Sequence, residues 1–145
     1  MYHYKDCGLP YVYLTNGFTI DKVEDEEFVS IDNLYELHAL VGRNIVSQVR
    51  PISHQEFKFI RIELNMSQKA LGNLLGVDTQ TVARWEKGQT LIPRTADVTL
   101  RALYAEFNDD DSQIGLLLNM LSDSEIESTM AELHLEEQDN KWRVA

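Results

Sequence analysis

"SQKALGNLLGVDTQTVARWEKG", residues 67–88, decides how this chain is read. Ser67 is a good N-cap, and an apolar pattern follows it from Gln68 to about Leu75. Gly76 suits the left-handed residue that ends a helix. Asp78 is a second N-cap, opening a helix to about Glu86, and Gly88 closes that one. Two short helices on a tight turn make a helix-turn-helix when the first packs on the second. Ala70, Leu71, Leu74 and Leu75 supply the inner face of the first. Val77, Val82 and Trp85 supply the inner face of the second. That leaves Thr79, Gln80, Thr81, Arg84 and Lys87 on the outer face. These are the side-chain types that read base edges or hold phosphates: Gln pairs with adenine, Arg with guanine, and a Thr methyl touches thymine.

Working outward, the flanks extend the helical pattern. Ser53 with Glu56 three residues on forms a capping box, and Phe57, Phe59, Ile60 and Leu64 face a helix over 54–64. Pro93 precedes a helix over 94–107 faced by Ala96, Leu100, Leu103 and Tyr104. Upstream, Asp32 is read as the N-cap of an amphipathic helix over 33–47, with Leu34, Leu37, Val41 and Ile45 on one face. "YVYLTNGFTI" (11–20) is β-rich around Asn16-Gly17, a strong hairpin signal, so strands are expected at 11–15 and 18–23, with a third near 27–31. Downstream, "SQIGLLLNMLS" (112–122) reads as a short apolar helix and 125–135 as another. "EEQDN" reads as a turn or frayed end, and "KWRV" (141–144) as a short strand or tail. The apolar "IGLLLNML" (114–121) either packs on the chain's own core or forms a dimer interface.

Composition sets the frame. The chain has 145 residues and a formal net charge of -11. Residues 1–42 carry -6, residues 43–104 carry +4 and residues 105–145 carry -9. The groove-reading stretch therefore lies in the only positive segment, which fits a DNA contact made by the middle. The acidic runs "DKVEDEE" and "NDDDS" are either solvated loops or a surface for a basic partner. No apolar run is long enough to span a bilayer, and "MYHYKDCGLP" lacks the layout of a secretory signal, so the expected location is cytoplasmic. The single cysteine, Cys7, excludes an internal disulfide and a four-thiolate zinc site. His3, Asp6 and Cys7 cluster in sequence but lack a fourth ligand, so no metal and no cofactor are expected. His38 is read as a partly buried packing residue, His54 and His134 as surface groups. No Ser-His-Asp or Cys-His arrangement suggests catalysis.

The run "IRIELNMSQKALGNLLGVDTQTVARWEKGQTLIP" resembles the Cro/phage-repressor helix-turn-helix family, often called the XRE family. The resemblance implies a mainly α, five-helix lambda-repressor-like DNA-binding domain. It implies that Gln68 begins the helix approaching the phosphate backbone. It places Thr79, Gln80 and Arg84 at base-contacting positions, and Thr81 and Lys87 nearer the phosphates. It also implies an ion pair between Arg61 and Glu86 that ties the first helix to the end of the third. The whole layout, with "YKDCGLPYVYLTNGF" at the N-terminus, is similar to antitoxin regulators of the MqsA-related kind. Those commonly grip a ribonuclease toxin and repress their own operon as dimers. Their zinc module needs two cysteine pairs, which this chain lacks.

The resulting expectation has three parts. Residues 1–50 form a β-hairpin plus helix module, 51–107 the DNA-binding domain, and 108–145 an acidic helical extension suited to dimerisation. The chain would bind a palindromic double-stranded operator as a homodimer and repress transcription, with a basic ribonuclease toxin as partner. The alternative is a stand-alone prophage-type or effector-responsive regulator.

Overall fold

The computed structural model describes residues 1–108 and 132–145. Among the described residues, five helices carry the fold: α1 (Leu34–Val46), α2 (His54–Glu63), α3 (Gln68–Leu75), α4 (Thr79–Glu86) and α5 (Arg94–Phe107). The described residues also form three antiparallel strand pairs: β1 (Tyr2–His3) with β2 (Tyr13–Leu14), β3 (Phe18–Val23) with β4 (Glu26–Ile31), and β5 (Leu135–Gln138) with β6 (Lys141–Val144).

The helix boundaries follow the caps. Ser53 Oγ accepts from Glu56 N while the Glu56 carboxylate accepts from Ser53 N, a complete capping box. Ser67 Oγ accepts from Ala70 N, and Gly76 ends α3 at φ 74. Asp78 accepts from Thr81 N, opening α4. One cap differs from expectation. Asn33, not Asp32, occupies the N-cap of α1, in the left-handed region at φ 50, and its side chain donates to Glu36. Asn tolerates that conformation better than most residues.

The strand pairing also differs. Asn16-Gly17 does not join two paired strands: β2 pairs with β1 in the register Tyr2↔Leu14 and His3↔Tyr13. The hairpin is β3–β4, turned by Glu24 and Asp25, both at positive φ as a type I′ turn requires. Short β2 is held by burial instead, since Val12 and Leu14 face the core. At the other end, Glu136 to Gln138 form strand rather than a frayed end, and Asp139-Asn140 make the turn into β6, again at positive φ. The helices expected at 112–122 and over most of 125–135 lie outside the described residues, as does the candidate dimer stretch 114–121. Residues 132–134 belong to no element, and Leu135 opens β5.

The core forms around Phe57, Ile60, Leu71, Val82 and Leu100, all fully buried. Phe57 meets Trp85 edge-on, with ring centroids 5.7 Å apart. Leu9, Val12 and Leu14 from the N-terminal segment and Ile45 from α1 join this same cluster. Tyr104 of α5 closes over Gly42 of α1, where a Cβ would overlap its hydroxyl. Two buried carboxylates fix the connection between α1 and α2. Glu56 accepts from Arg50 Nη1 and Nη2 at 2.8 Å each and from the Tyr11 hydroxyl at 2.6 Å. Asp97 accepts from Arg101 at 2.7 and 3.0 Å and from Ile52 N at 3.0 Å, while Arg101 also holds the Gln48 carbonyl. Burial alone would raise the Glu56 pKa, but the bonds from Arg50, Tyr11 and Ser53 outweigh it and hold the carboxyl below its usual range.

Candidate nucleic-acid interface

The candidate surface is the outer face of α4, and its orientation follows from what α4 buries. Val82 is fully buried and Trp85 is 5% exposed, both turned onto α2 and the core. Residues on the opposite side must face out, because helix positions one or two apart point in different directions. Thr79, Gln80, Arg84 and Lys87 are exposed, and Thr81 is half-buried. Arg84 Nη2 lies 3.4 Å from Gln80 Oε1, one helical turn away. The two long side chains are thus aligned together on the exposed face.

The two ends of α4 are held differently. At the N-terminus, Asp78 accepts from the Thr81 backbone at 2.7 Å and from the Thr81 hydroxyl at 2.5 Å. Those two bonds, the side-chain one first, keep the Asp78 carboxyl below its usual pKa. They also commit the Thr81 hydroxyl proton within the cap, so a phosphate contact from Thr81 would require that proton to swing away. At the C-terminus, Glu86 accepts from Arg61 Nε at 2.6 Å and Nη2 at 2.9 Å. Arg61 Nη1 also donates to the Met66 carbonyl at 2.8 Å, so one guanidinium ties α2 both to α4 and to the loop before α3. Bidentate geometry of this kind fixes orientation as well as distance.

Gln68 is built into this tie. Its Nε2 donates to Glu86 Oε1 at 3.0 Å, which uses one of its two N–H bonds. No local pattern in the sequence implies the bond to Glu86, because eighteen residues separate the two and only the fold brings them together. His54 is not the plain surface group that its sequence context implies. It is half-buried, and its ring lies over Gly88, where a Cβ would sit 3.3 Å from His54 Nδ1. The first turn of α2 therefore abuts the turn that ends α4. His38 is partly buried, with Nε2 2.8 Å from the Tyr4 hydroxyl and Nδ1 3.6 Å from Glu63. His134 lies exposed beside Glu132.

The close approach of α3 and α4 depends on Gly72. A Cβ there would lie 2.8 Å from the Val77 carbonyl oxygen, inside contact distance of backbone. The tight α3–α4 packing therefore rests on a glycine at the crossing as well as on Gly76 at the turn.

Among the described residues, no group of three or more His, Cys, Asp and Glu could hold a metal ion. No helix among them is long and apolar enough to cross a membrane. Residues 57–95 match the helix-turn-helix family model, a stretch that runs from Phe57 within α2 through α3 and α4 to the first two residues of α5. That family, of the Cro/phage-repressor or XRE type, comprises DNA-binding transcriptional regulators and is not enzymatic. No curated protein and no solved structure matches the chain.

Proposed function

We propose that this chain, a DNA-binding transcriptional regulator by its helix-turn-helix segment at 57–95, is a sequence-specific repressor that binds a palindromic operator as a homodimer. One observation carries the reading: α4 is capped at its N-terminus, tied at its C-terminus, and exposes Gln80 and Arg84 side by side. A rigid helix with two aligned base-reading side chains is what direct readout in a major groove needs. Gln80, Arg84 and Thr79 read bases, and Lys87, Gln68 and Thr81 meet phosphates. Two copies would engage half-sites about 34 Å apart.

The test is selection of duplexes from a random-sequence pool by the full chain. A palindromic consensus with half-sites one helical turn apart is expected. Arg84→Ala removes one bidentate base contact of about 1–3 kcal/mol from each of the two half-sites, so it should weaken binding to the selected duplex by at least about 30-fold. Unchanged affinity and unchanged sequence preference in that variant would exclude α4 as the recognition helix.

A second reading concerns protein partners and rests on the β3–β4 hairpin. Its distal half carries Asp21, Glu24, Asp25, Glu26 and Glu27 against Lys22 alone, with Ile20, Val23 and Phe28 about half exposed. Such a surface suits a basic protein, which is the character of a ribonuclease toxin in the antitoxins that the layout resembles. In that reading the chain is the antitoxin of a toxin–antitoxin operon. A basic protein from the adjacent reading frame should co-purify with the wild type and with Arg84→Ala, but not after Glu24, Glu26 and Glu27 are changed to Lys. Co-purification that survives those charge reversals would remove the hairpin from the partner surface.

A further inference from the structure

We propose that a groove beside the end of the recognition helix binds a small organic anion with an apolar body, of the aryl or alkyl carboxylate class, and that its occupancy withdraws Lys87 from DNA. The groove encloses about 550 Å³, within the range that small-molecule sites occupy. Four segments distant in sequence border it: the 3₁₀ turn with Gly8 (Asp6–Gly8), His38 of α1, one side of α2, and Glu86-Lys87 at the end of α4.

Two adjacent ridges of α2 face it. His54, Lys58 and Ile62 recur every four residues, and Gln55, Phe59 and Glu63 form the row beside them. Ile62 is 54% exposed and Phe59 is buried beneath, so the floor offers apolar contact. The charges are polarised along α2. At one end Glu63 faces His38. At the other, His54 lies against Gly88 and so brings the start of α2 next to Lys87. Lys58 stands one turn on from His54. Among the described residues neither Lys58 nor Lys87 has an ion-pair partner, although both are exposed beside the groove. Of the three carboxylates that border the groove, Glu86 is already engaged by Arg61 and Gln68, Glu63 lies beside His38, and Asp6 sits on the 3₁₀ turn. An anionic group would settle between the two ammonium groups, with its apolar body over Phe59 and Ile62.

The consequence for DNA follows from Lys87. An ammonium held by a ligand carboxylate cannot also neutralise a phosphate. The coupling therefore rests on the DNA-binding reading above, whereas the ligand site does not.

The test separates the two. Full-length ¹⁵N-labelled protein is titrated, without DNA, with salicylate, indole-3-acetate and octanoate. Saturable shifts are expected at the amides of His38, Lys58, Ile62 and Lys87 with at least one of the three. Lys58→Glu and Ile62→Glu, both at exposed positions, should abolish them while leaving the rest of the spectrum intact. No saturable shift with any of the three, or the same shifts in both variants, overturns the site. The binding probe is then added to the complex with the selected duplex. The duplex Kd should rise several-fold in the wild type and not in Lys58→Glu, and the salt slope should become shallower by about 1.8, one phosphate contact from each of the two protomers. Ligand binding with no change in Kd overturns the coupling but not the site. Failure of the DNA reading itself would appear earlier, as no consensus in the duplex selection.

Discussion

Replacing Glu86 by Gln tests how α4 is held. The wild-type carboxylate accepts three bonds, two from Arg61 and one from Gln68. Arg61 is 9% exposed and Glu86 7%, so little water can replace what is lost. In Glu86→Gln one acceptor oxygen becomes a donor facing the guanidinium, and a buried positive charge loses its counter-charge. Breaking a buried pair on one side costs about 3–5 kcal/mol. The lower end applies, because Arg61 keeps the Met66 carbonyl and an edge to solvent, so about 3 kcal/mol is expected. Arg61→Met should cost a similar amount by stranding Glu86. The double variant removes both charges together, and Gln at 86 can still accept from Gln68. Its cost should therefore fall short of the sum of the two singles by about 2 kcal/mol. Urea unfolding of the four proteins followed by circular dichroism measures the cycle. The prediction holds only if the m-values agree, so that changes in midpoint report stability. Single costs below about 0.5 kcal/mol that simply add would mean that the pair is a solvated contact and does not fix α4.

Three further outcomes are expected. Gly72→Ala should destabilise by about 1–3 kcal/mol, the range for overpacking, because the new methyl meets the Val77 backbone at 2.8 Å; a thermal melt unchanged from the wild type would show that α3 and α4 separate freely. Ser67→Ala should cost about 1 kcal/mol of stability by removing the cap on Ala70 N, measured by the same urea titration. Glu56 has a depressed folded pKa, so its contribution is fully present above the unfolded value of about 4.3 and is lost as pH falls through the folded value. Glu56→Gln should therefore flatten the fall in stability on acidification below about pH 4.3, and an equally steep fall in the variant would place the acid sensitivity elsewhere.

Much of the DNA-binding segment was legible in the sequence because its signals are local. Ser53 with Glu56, Ser67 and Asp78 are caps whose partners lie three residues away, and the structure forms each of those bonds. The apolar spacing of Phe57, Ile60, Leu71, Val82 and Leu100 marks the buried faces for the same reason, since helix periodicity is a property of neighbours along the chain. The strands were less legible. Asn16-Gly17 carries a strong turn signal, yet the partner of β2 is β1, ten residues upstream, chosen because that pairing places Val12 and Leu14 in the core.

The sequence by itself determined where α2 to α5 begin and end and which side of α4 turns inward, because capping bonds and helical periodicity act over three or four residues. Only the tertiary structure decided that Gln68 shares Glu86 with Arg61, that Tyr11 and Arg50 meet at Glu56, and that His54 lies against Gly88 at the mouth of a groove reaching Lys87. Those partners are separated by between 6 and 45 residues, and only core packing brings most of them within bonding distance.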